Sequence, residues 1–117
     1  MYADVKIGEK VVPMLSNAAT AILYKQVFHK DLLVFMDRVN KALEKGDNVI
    51  EGMNDIILEL AYVMATQAEK SGFRDKNFET YIEWLTQFEP MDIENAAAEI
   101  FGVYKLNTRT KSTPKNA

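Results

Sequence analysis

His29 is the only histidine among the 117 residues, and any nucleophilic triad would have to be built on it. A Cys-His pair is excluded because the chain contains no cysteine. The nearest acid, Asp31, stands where the N-cap of a helix is expected, so it is better placed to cap that helix than to orient an imidazole. A di-metal site in a helical bundle needs Glu-x-x-His, but Gln26 stands three residues before His29. We interpret His29 as a turn residue and predict no catalytic residue and no metal ligand.

Carboxylate pairs and glycines give no stronger sign of chemistry. Asp55 and Glu59, like Glu79 and Glu83, are four residues apart, which places each pair on one face of a helix. General acid-base chemistry needs carboxylates that converge in a cleft, so we expect these pairs to form solvated faces. The loop that contains Gly8 matches neither GxxxxGK[ST] nor GxGxxG. No cofactor is predicted, and an enzyme is the least favoured class.

Composition indicates a single globular domain with a sizeable core. Hydrophobic residues make up 48% of the chain and charged residues 26%, without the cysteines that would form disulfides. The net charge of -3 disfavours binding to nucleic acid or to an anionic membrane. The longest apolar runs, Leu32 to Met36 and Leu60 to Ala65, are far shorter than the roughly 20 residues that span a bilayer. We therefore expect a soluble protein of the cytoplasm, without a secretion signal.

Residues 3–14 predict a β-hairpin with a two-residue turn that starts at Gly8. This turn would place Val5 opposite Val12. Pro13 cannot donate a hydrogen bond to a neighbouring strand, so it marks the second strand as an edge strand. Because an isolated hairpin is barely stable in water, we expect a helix to cover its apolar face.

Helical spacing of apolar residues predicts about five helices. The third has the broadest apolar surface and is expected to be central. In the first helix we expect an inward face of Ala18, Ala21, Ile22, Tyr24, Val27 and Phe28, and in the fourth one of Phe78, Tyr81, Ile82, Leu85 and Phe88. The predicted bounds of the first four are Ser16 or Asn17 to His29, Asp31 to Gly46, Met53 to Ser71, and Asp75 or Asn77 to Glu89. A fifth helix is predicted to follow, with one face formed by Ile93, Ala97, Ile100, Phe101 and Tyr104.

The segment after Leu106 carries Arg109, Lys111 and Lys115 without an acidic residue or a large apolar anchor. Such a composition predicts a flexible basic tail over 107–117. The expected architecture is therefore mainly α: a single-domain helical bundle over 1–106 with an N-terminal hairpin, followed by this tail.

Some aromatic side chains are candidates for a partner surface. Trp84 lies beside the main apolar stripe of the fourth helix, and Phe73 adjoins a loop glycine. We take these two, with Phe88 and Tyr104, as candidate partner-binding residues, because large aromatic side chains are enriched at interfaces. The alternative is that they pack within the bundle.

The order of these parts resembles that of a known family. A hairpin is followed by ATAILYKQVFHKDLL, LAYVMATQA and FETYIEWLTQFEPMDI, then by a short helix and a basic tail. This arrangement, over residues 3–115, resembles the small tail assembly chaperones encoded by long-tailed phages and prophages of Gram-positive hosts. The resemblance is strongest in Ala18 to Leu33 and Phe78 to Phe88. The chain departs from the family pattern at His29, where a Gly usually follows the Phe of the first helix.

The resemblance implies a non-enzymatic role. Such chaperones bind the long helical tape measure protein and keep it soluble in the host cytoplasm while tail tube subunits are recruited, and they are absent from the mature virion. Many members also exist in a longer form, made by a ribosomal frameshift, whose added part contacts the major tail protein; this chain would be the short form. A homo-oligomer would suit such a role. The methionines at 36, 53, 64 and 91 would suit an adaptable binding surface, or they fill gaps in the core.

Two alternatives come from other classes. One is a structural component of the virion, such as a head-tail connector or tail completion protein, which would persist in purified particles. The other is a small helical adaptor or regulator. Gene order separates them, because a chaperone gene should lie between a major tail protein gene and a very long tape measure gene.

Overall fold

The structure is a computed structural model that describes residues 1–46, 53–69 and 75–112. Within these ranges a two-stranded antiparallel hairpin precedes six helices, so the predicted mainly α bundle with an N-terminal hairpin is confirmed. The elements are β1 (Tyr2–Ile7), β2 (Lys10–Leu15), α1 (Thr20–Phe28), α2 (Leu32–Glu44), α3 (Met53–Ala68), α4 (Phe78–Leu85), α5 (Asp92–Asn95) and α6 (Ala97–Ser112).

The hairpin has the predicted register, with Val5 opposite Val12. Gly8 has a φ of 63° whereas Glu9 has a negative φ, as in a type II′ turn. A methyl group at Gly8 would also lie 2.5 Å from the Oδ2 atom of Asp92 at the start of α5. The left-handed conformation therefore favours glycine at this position, and the Asp92 side chain would have to move to admit a larger residue.

The third helix is central, as predicted. It packs against β2, α1, α4, α5 and α6. Leu60, Val63 and Met64 are completely buried in the middle of α3, and the hairpin adds Ile7 and Met14 to the same core. The apolar face of the hairpin is thus covered by a helix, which gives the two strands the support that they need.

The starts of α2 and α4 follow the capping residues in the sequence. Asp31 Oδ1 accepts hydrogen bonds from the backbone N–H groups of Leu33 and Val34 at 3.0 and 3.2 Å, which confirms its role as the cap of α2. Asn77 starts α4 through a reciprocal pair of hydrogen bonds with Thr80.

Neither of the two residues predicted to cap the first helix does so, because α1 starts at Thr20 and its N-cap position, Ala19, is without a side-chain cap hydrogen bond. Asn17 lies in the turn before the helix. Its Oδ1 atom accepts from the N–H group of Ala19 at 2.9 Å. Ser16 is fully buried instead, and its hydroxyl donates to the carbonyl oxygen of Val103 in α6 at 3.0 Å. Ser16 therefore joins the end of β2 to α6.

The predicted inward faces of α1 and α4 are partly wrong. Ile22 is 63% exposed, and Phe78 and Ile82 are 56% and 43% exposed. Both helices lie at the periphery of the bundle, where neighbouring elements cover only part of the apolar face that helical spacing predicts. The prediction that α4 extends to Glu89 is also wrong: it ends at Leu85, where the Thr86 and Gln87 side chains donate to carbonyl oxygens of the last turn.

The predicted fifth helix is divided in two at Ala96, which has φ -97° and ψ 10°. Ala96 is buried, so the break lies against the core. The backbone of α6 is helical to Ser112, so the predicted boundary between domain and tail after residue 106 falls within this helix. The predicted helix end at Ser71 and the last part of the predicted tail, residues 113–117, lie outside the described residues.

His29 closes α1 in the left-handed conformation, with φ 59° and ψ 34°, and its N–H group donates to the carbonyl oxygen of Lys25 at 2.8 Å. This conformation costs a residue with a Cβ atom about 1 kcal/mol, a cost that glycine does not have. We expect His29→Gly to raise the free energy of unfolding by about 0.5 to 1 kcal/mol and His29→Val to lower it. Urea denaturation followed by circular dichroism measures both changes, and equal stability of the two variants would contradict this prediction.

Candidate partner-binding groove

A surface groove lies between β2, the C-terminal part of α3 and α4. Its volume is about 480 Å³. We call it the Trp84 groove; its lining consists of Lys10, Val11, Val12, Pro13, Ala65, Ala68, Glu69, Trp84 and Gln87. Apolar residues from three elements therefore border one depression, and three polar residues stand among them.

Alanines in the central helix create this groove. Ala65 and Ala68 lie three residues apart on α3, so they occupy one face of the helix. Because their side chains are single methyl groups, the helix surface is recessed between β2 on one side and α4 on the other. Small residues on an apolar helix face indicate either close approach of a neighbouring element or a recess, so the sequence of α3 contains a signal for this groove that was not recognised among the predicted site residues.

Trp84 is held by other aromatic rings. Its ring centroid lies 5.6 Å from that of Tyr62 and 5.0 Å from that of Phe88, both in edge-on arrangements. The Tyr62 hydroxyl is in turn hydrogen-bonded to the Thr80 hydroxyl at 2.7 Å. Trp84 is only half-buried, so its indole packs against the bundle and also lines the groove.

The outer edge of β2 also borders the groove. Met1 and Ser16 exchange backbone hydrogen bonds. Along an antiparallel hairpin, pairs of residues that are hydrogen-bonded to each other alternate with pairs that are not. The backbone groups of Val11, Pro13 and Leu15 therefore point away from β1. Since Pro13 has no N–H group in the middle of this edge, an added strand would lack one of its hydrogen bonds. The edge is poorly suited to strand addition.

The four predicted partner-binding residues do not share one surface. Trp84 and Phe88 are in contact, and Phe88 also lines a smaller cavity of about 260 Å³ beside Pro90 and Met91. Tyr104 is only 7% exposed, and burial raises the pKa of its hydroxyl. Its side chain belongs to the core and offers no surface to a partner in this structure. Phe73 lies outside the described residues.

The methionines divide between core and surface. Met36 and Met64 are buried, which confirms for these two the interpretation that they fill the core. Met91 is exposed next to Pro90. The side chain of Met53 lies outside the described part of the chain. Of these four methionines, Met91 is therefore the one that the described part of the structure exposes to a partner.

A buried charged cluster joins the α1–α2 corner to α3. Glu59 is only 6% exposed, so the prediction that it belongs to a solvated face is wrong, whereas Asp55 is exposed as predicted. The Lys30 ammonium lies 2.9 and 3.2 Å from the two carboxylate oxygens of Glu59, and the hydroxyl of the fully buried Tyr24 donates to one of them. Burial, and then the hydrogen bond to Glu59, raise the pKa of Tyr24 well above its usual value.

This cluster connects parts of the fold and does not resemble a reactive site. Each polar side-chain atom that is fully buried in the described part of the chain has a hydrogen-bond partner. In those same ranges, no three His, Cys, Asp or Glu side chains come together in a way that could hold a metal ion. The described helices are all too short or too polar to cross a membrane.

Comparison of the chain with protein-family models, with curated proteins and with solved structures found no match.

Proposed function

We propose that the protein is a tail assembly chaperone of a long-tailed phage or prophage. In this role it is not an enzyme. It binds the tape measure protein in the host cytoplasm, keeps it soluble during tail tube assembly, and leaves before the virion is complete. The resemblance over Ala18 to Leu33 and Phe78 to Phe88 suggests this role, and the Trp84 groove is the observation that carries it.

The Trp84 groove suits an amphipathic helix better than an extended strand. Pro13 interrupts the hydrogen-bonding edge that a strand would need. A helix satisfies its own backbone groups and needs only apolar contacts, which Val11, Ala68 and Trp84 supply. A half-buried tryptophan at the border of such a groove is the kind of side chain that dominates binding energy when a partner excludes water from it. Long helical tape measure proteins offer helices of this kind.

The proposal extends to a longer form of the protein. In such a form, produced by a ribosomal frameshift, an added C-terminal part would contact the major tail protein. A coding sequence without a slippery heptamer near residues 114–116 would contradict this extension.

A charge placed in the groove should abolish the chaperone activity. Val11 is 63% exposed and lines the groove, so Val11→Glu adds a carboxylate there at little expected cost to stability. Ile22 on α1 is also 63% exposed but lies outside the groove, which makes Ile22→Glu a matched control. We expect a co-expressed tape measure fragment to stay soluble with the wild type and with Ile22→Glu, and to precipitate with Val11→Glu. The soluble fraction is measured by quantitative immunoblotting.

Two results would contradict the proposal in different ways. If the fragment is equally insoluble with and without the wild-type protein, the chaperone function is wrong. If Val11→Glu acts like the wild type, the function stands but the groove is wrong. Mass spectrometry of purified particles tests the structural alternative, because a chaperone should be absent from them and a connector should be present.

A further inference from the structure

The outer face of α4 combines exposed apolar and acidic side chains. Phe78 and Ile82 lie four residues apart, so they form one exposed stripe along the helix. Glu79 and Glu83 form an exposed stripe directly beside it. In the described part of the chain neither glutamate takes part in an ion pair. We call these four residues the α4 outer face.

Acidic residues are concentrated in the segment of the sequence that contains α4. Residues 75–99 contain seven acidic side chains and one basic side chain, whereas the whole chain has a net charge of only -3. The α4 and α5 region is therefore much more acidic than the rest of the protein. A field of this kind attracts cationic partners and raises their association rate.

A cleft of about 490 Å³ adjoins the Phe78 end of this face. Val27 and Phe28 at the end of α1 contribute apolar lining. Lys30 and Lys76 also border the cleft, but their ammonium groups lie 2.9 Å and 3.9 Å from the carboxylates of Glu59 and Glu69. The positive charges of these two lysines are paired with carboxylates of the same chain. The cleft can therefore accept an apolar side chain of a basic partner without strong charge repulsion.

We propose that the α4 outer face docks a basic amphipathic helix of a protein partner. Apolar residues of that helix contact Phe78 and Ile82, and its lysines or arginines face Glu79 and Glu83. Trp84 lies on the opposite side of α4, so this surface is separate from the Trp84 groove. The inference does not rest on the tape measure protein as the partner of the groove.

A pair of synthetic peptides tests this docking surface. One peptide of about 18 residues forms an amphipathic helix with leucines on one face and lysines on the other, and its counterpart has glutamate in place of each lysine. Binding of fluorescein-labelled peptide to the full chain is followed by fluorescence anisotropy. We expect the basic peptide to bind, its affinity to fall at high salt, and the acidic peptide not to bind.

Variants locate the binding. We expect Glu79→Lys combined with Glu83→Lys, and separately Phe78→Ser, to weaken binding of the basic peptide by about tenfold or more. Asp4→Lys combined with Glu9→Lys makes the same change in net charge on the exposed hairpin surface and should change the affinity by less than about twofold. Circular dichroism establishes that each variant is folded.

The inference is overturned if the two peptides bind equally well, or if the two charge-reversal variants lose the same affinity for the basic peptide. It is also overturned if the Glu79/Glu83 variant keeps its full affinity for that peptide, or if Phe78→Ser does. The competing occupant of this face is a second copy of the chain, docked through its basic residues 107–117. Sedimentation velocity of the protein alone measures whether the chain associates with itself. Self-association that disappears in the Glu79/Glu83 variant would assign the face to that second copy and would also overturn the inference. Failure of the tape measure co-expression experiment would leave these peptide results unaffected.

Discussion

Glu59→Ala should lower the free energy of unfolding by about 3 kcal/mol. The change removes a buried carboxylate that accepts from Tyr24 and faces the Lys30 ammonium. Lys30 is about half exposed and can turn into solvent, but the Tyr24 hydroxyl is fully buried and would lose its partner. Most of the loss therefore comes from an unsatisfied buried hydroxyl and from the space that the side chain leaves. Urea denaturation monitored by far-UV circular dichroism gives the value.

Asp55 supplies the matched control for Glu59. It is an acid one helical turn earlier on α3, but it is exposed. Asp55→Ala should change the free energy of unfolding by about 0.5 kcal/mol or less. Lys30→Ala should lower the free energy of unfolding by an amount between those of Asp55→Ala and Glu59→Ala, because the Lys30 ammonium is partly solvated. Equal effects of Glu59→Ala and Asp55→Ala would mean that the buried cluster contributes nothing to stability.

Phe28→Ala should have an even larger effect, a loss of about 3 to 5 kcal/mol. The Phe28 ring centroid lies 4.8 Å from that of Tyr81 on α4 and 5.2 Å from that of Tyr24. A third aromatic neighbour, Tyr62 on α3, lies 6.3 Å away. Removal of this ring leaves a cavity where three helices meet, and those helices cannot all move to fill it. Thermal and urea denaturation both report the loss.

Phe78→Ala is the corresponding control, since it deletes the same ring from an exposed position on α4. We expect it to cost less than about 1 kcal/mol. If both variants lose the same stability, the aromatic cluster around Phe28 is not the packing centre that its geometry indicates.

Features that depend on local chemistry could be predicted from the sequence. The hairpin register follows from a two-residue turn at Gly8, because that turn leaves few ways to pair the flanking strands. Asp31 and Asn77 mark helix starts because their side chains reach backbone N–H groups only two or three residues away. The centrality of α3 follows from an apolar surface too wide for contact with a single neighbour.

Features that depend on distant parts of the chain could not be predicted. Helical spacing shows that Asp55 and Glu59 share a helix face, but it does not show that the α1–α2 corner covers only Glu59. The exposure of Phe78 reflects how little of α4 its neighbours cover. The Trp84 groove exists because β2 and α4, about 70 residues apart in the chain, lie on either side of the same alanines.

The most direct measurement of tape measure binding uses the single tryptophan of the chain. Protein labelled with 5-fluorotryptophan gives one fluorine NMR resonance, from Trp84, and an unlabelled tape measure fragment is added to it. We expect this resonance to shift and reach saturation in the wild type and in Ile22→Glu, but to remain unchanged in Val11→Glu. A fragment that forms no complex with the wild-type protein, or that binds without moving the Trp84 resonance, would contradict the binding of the tape measure protein in this groove.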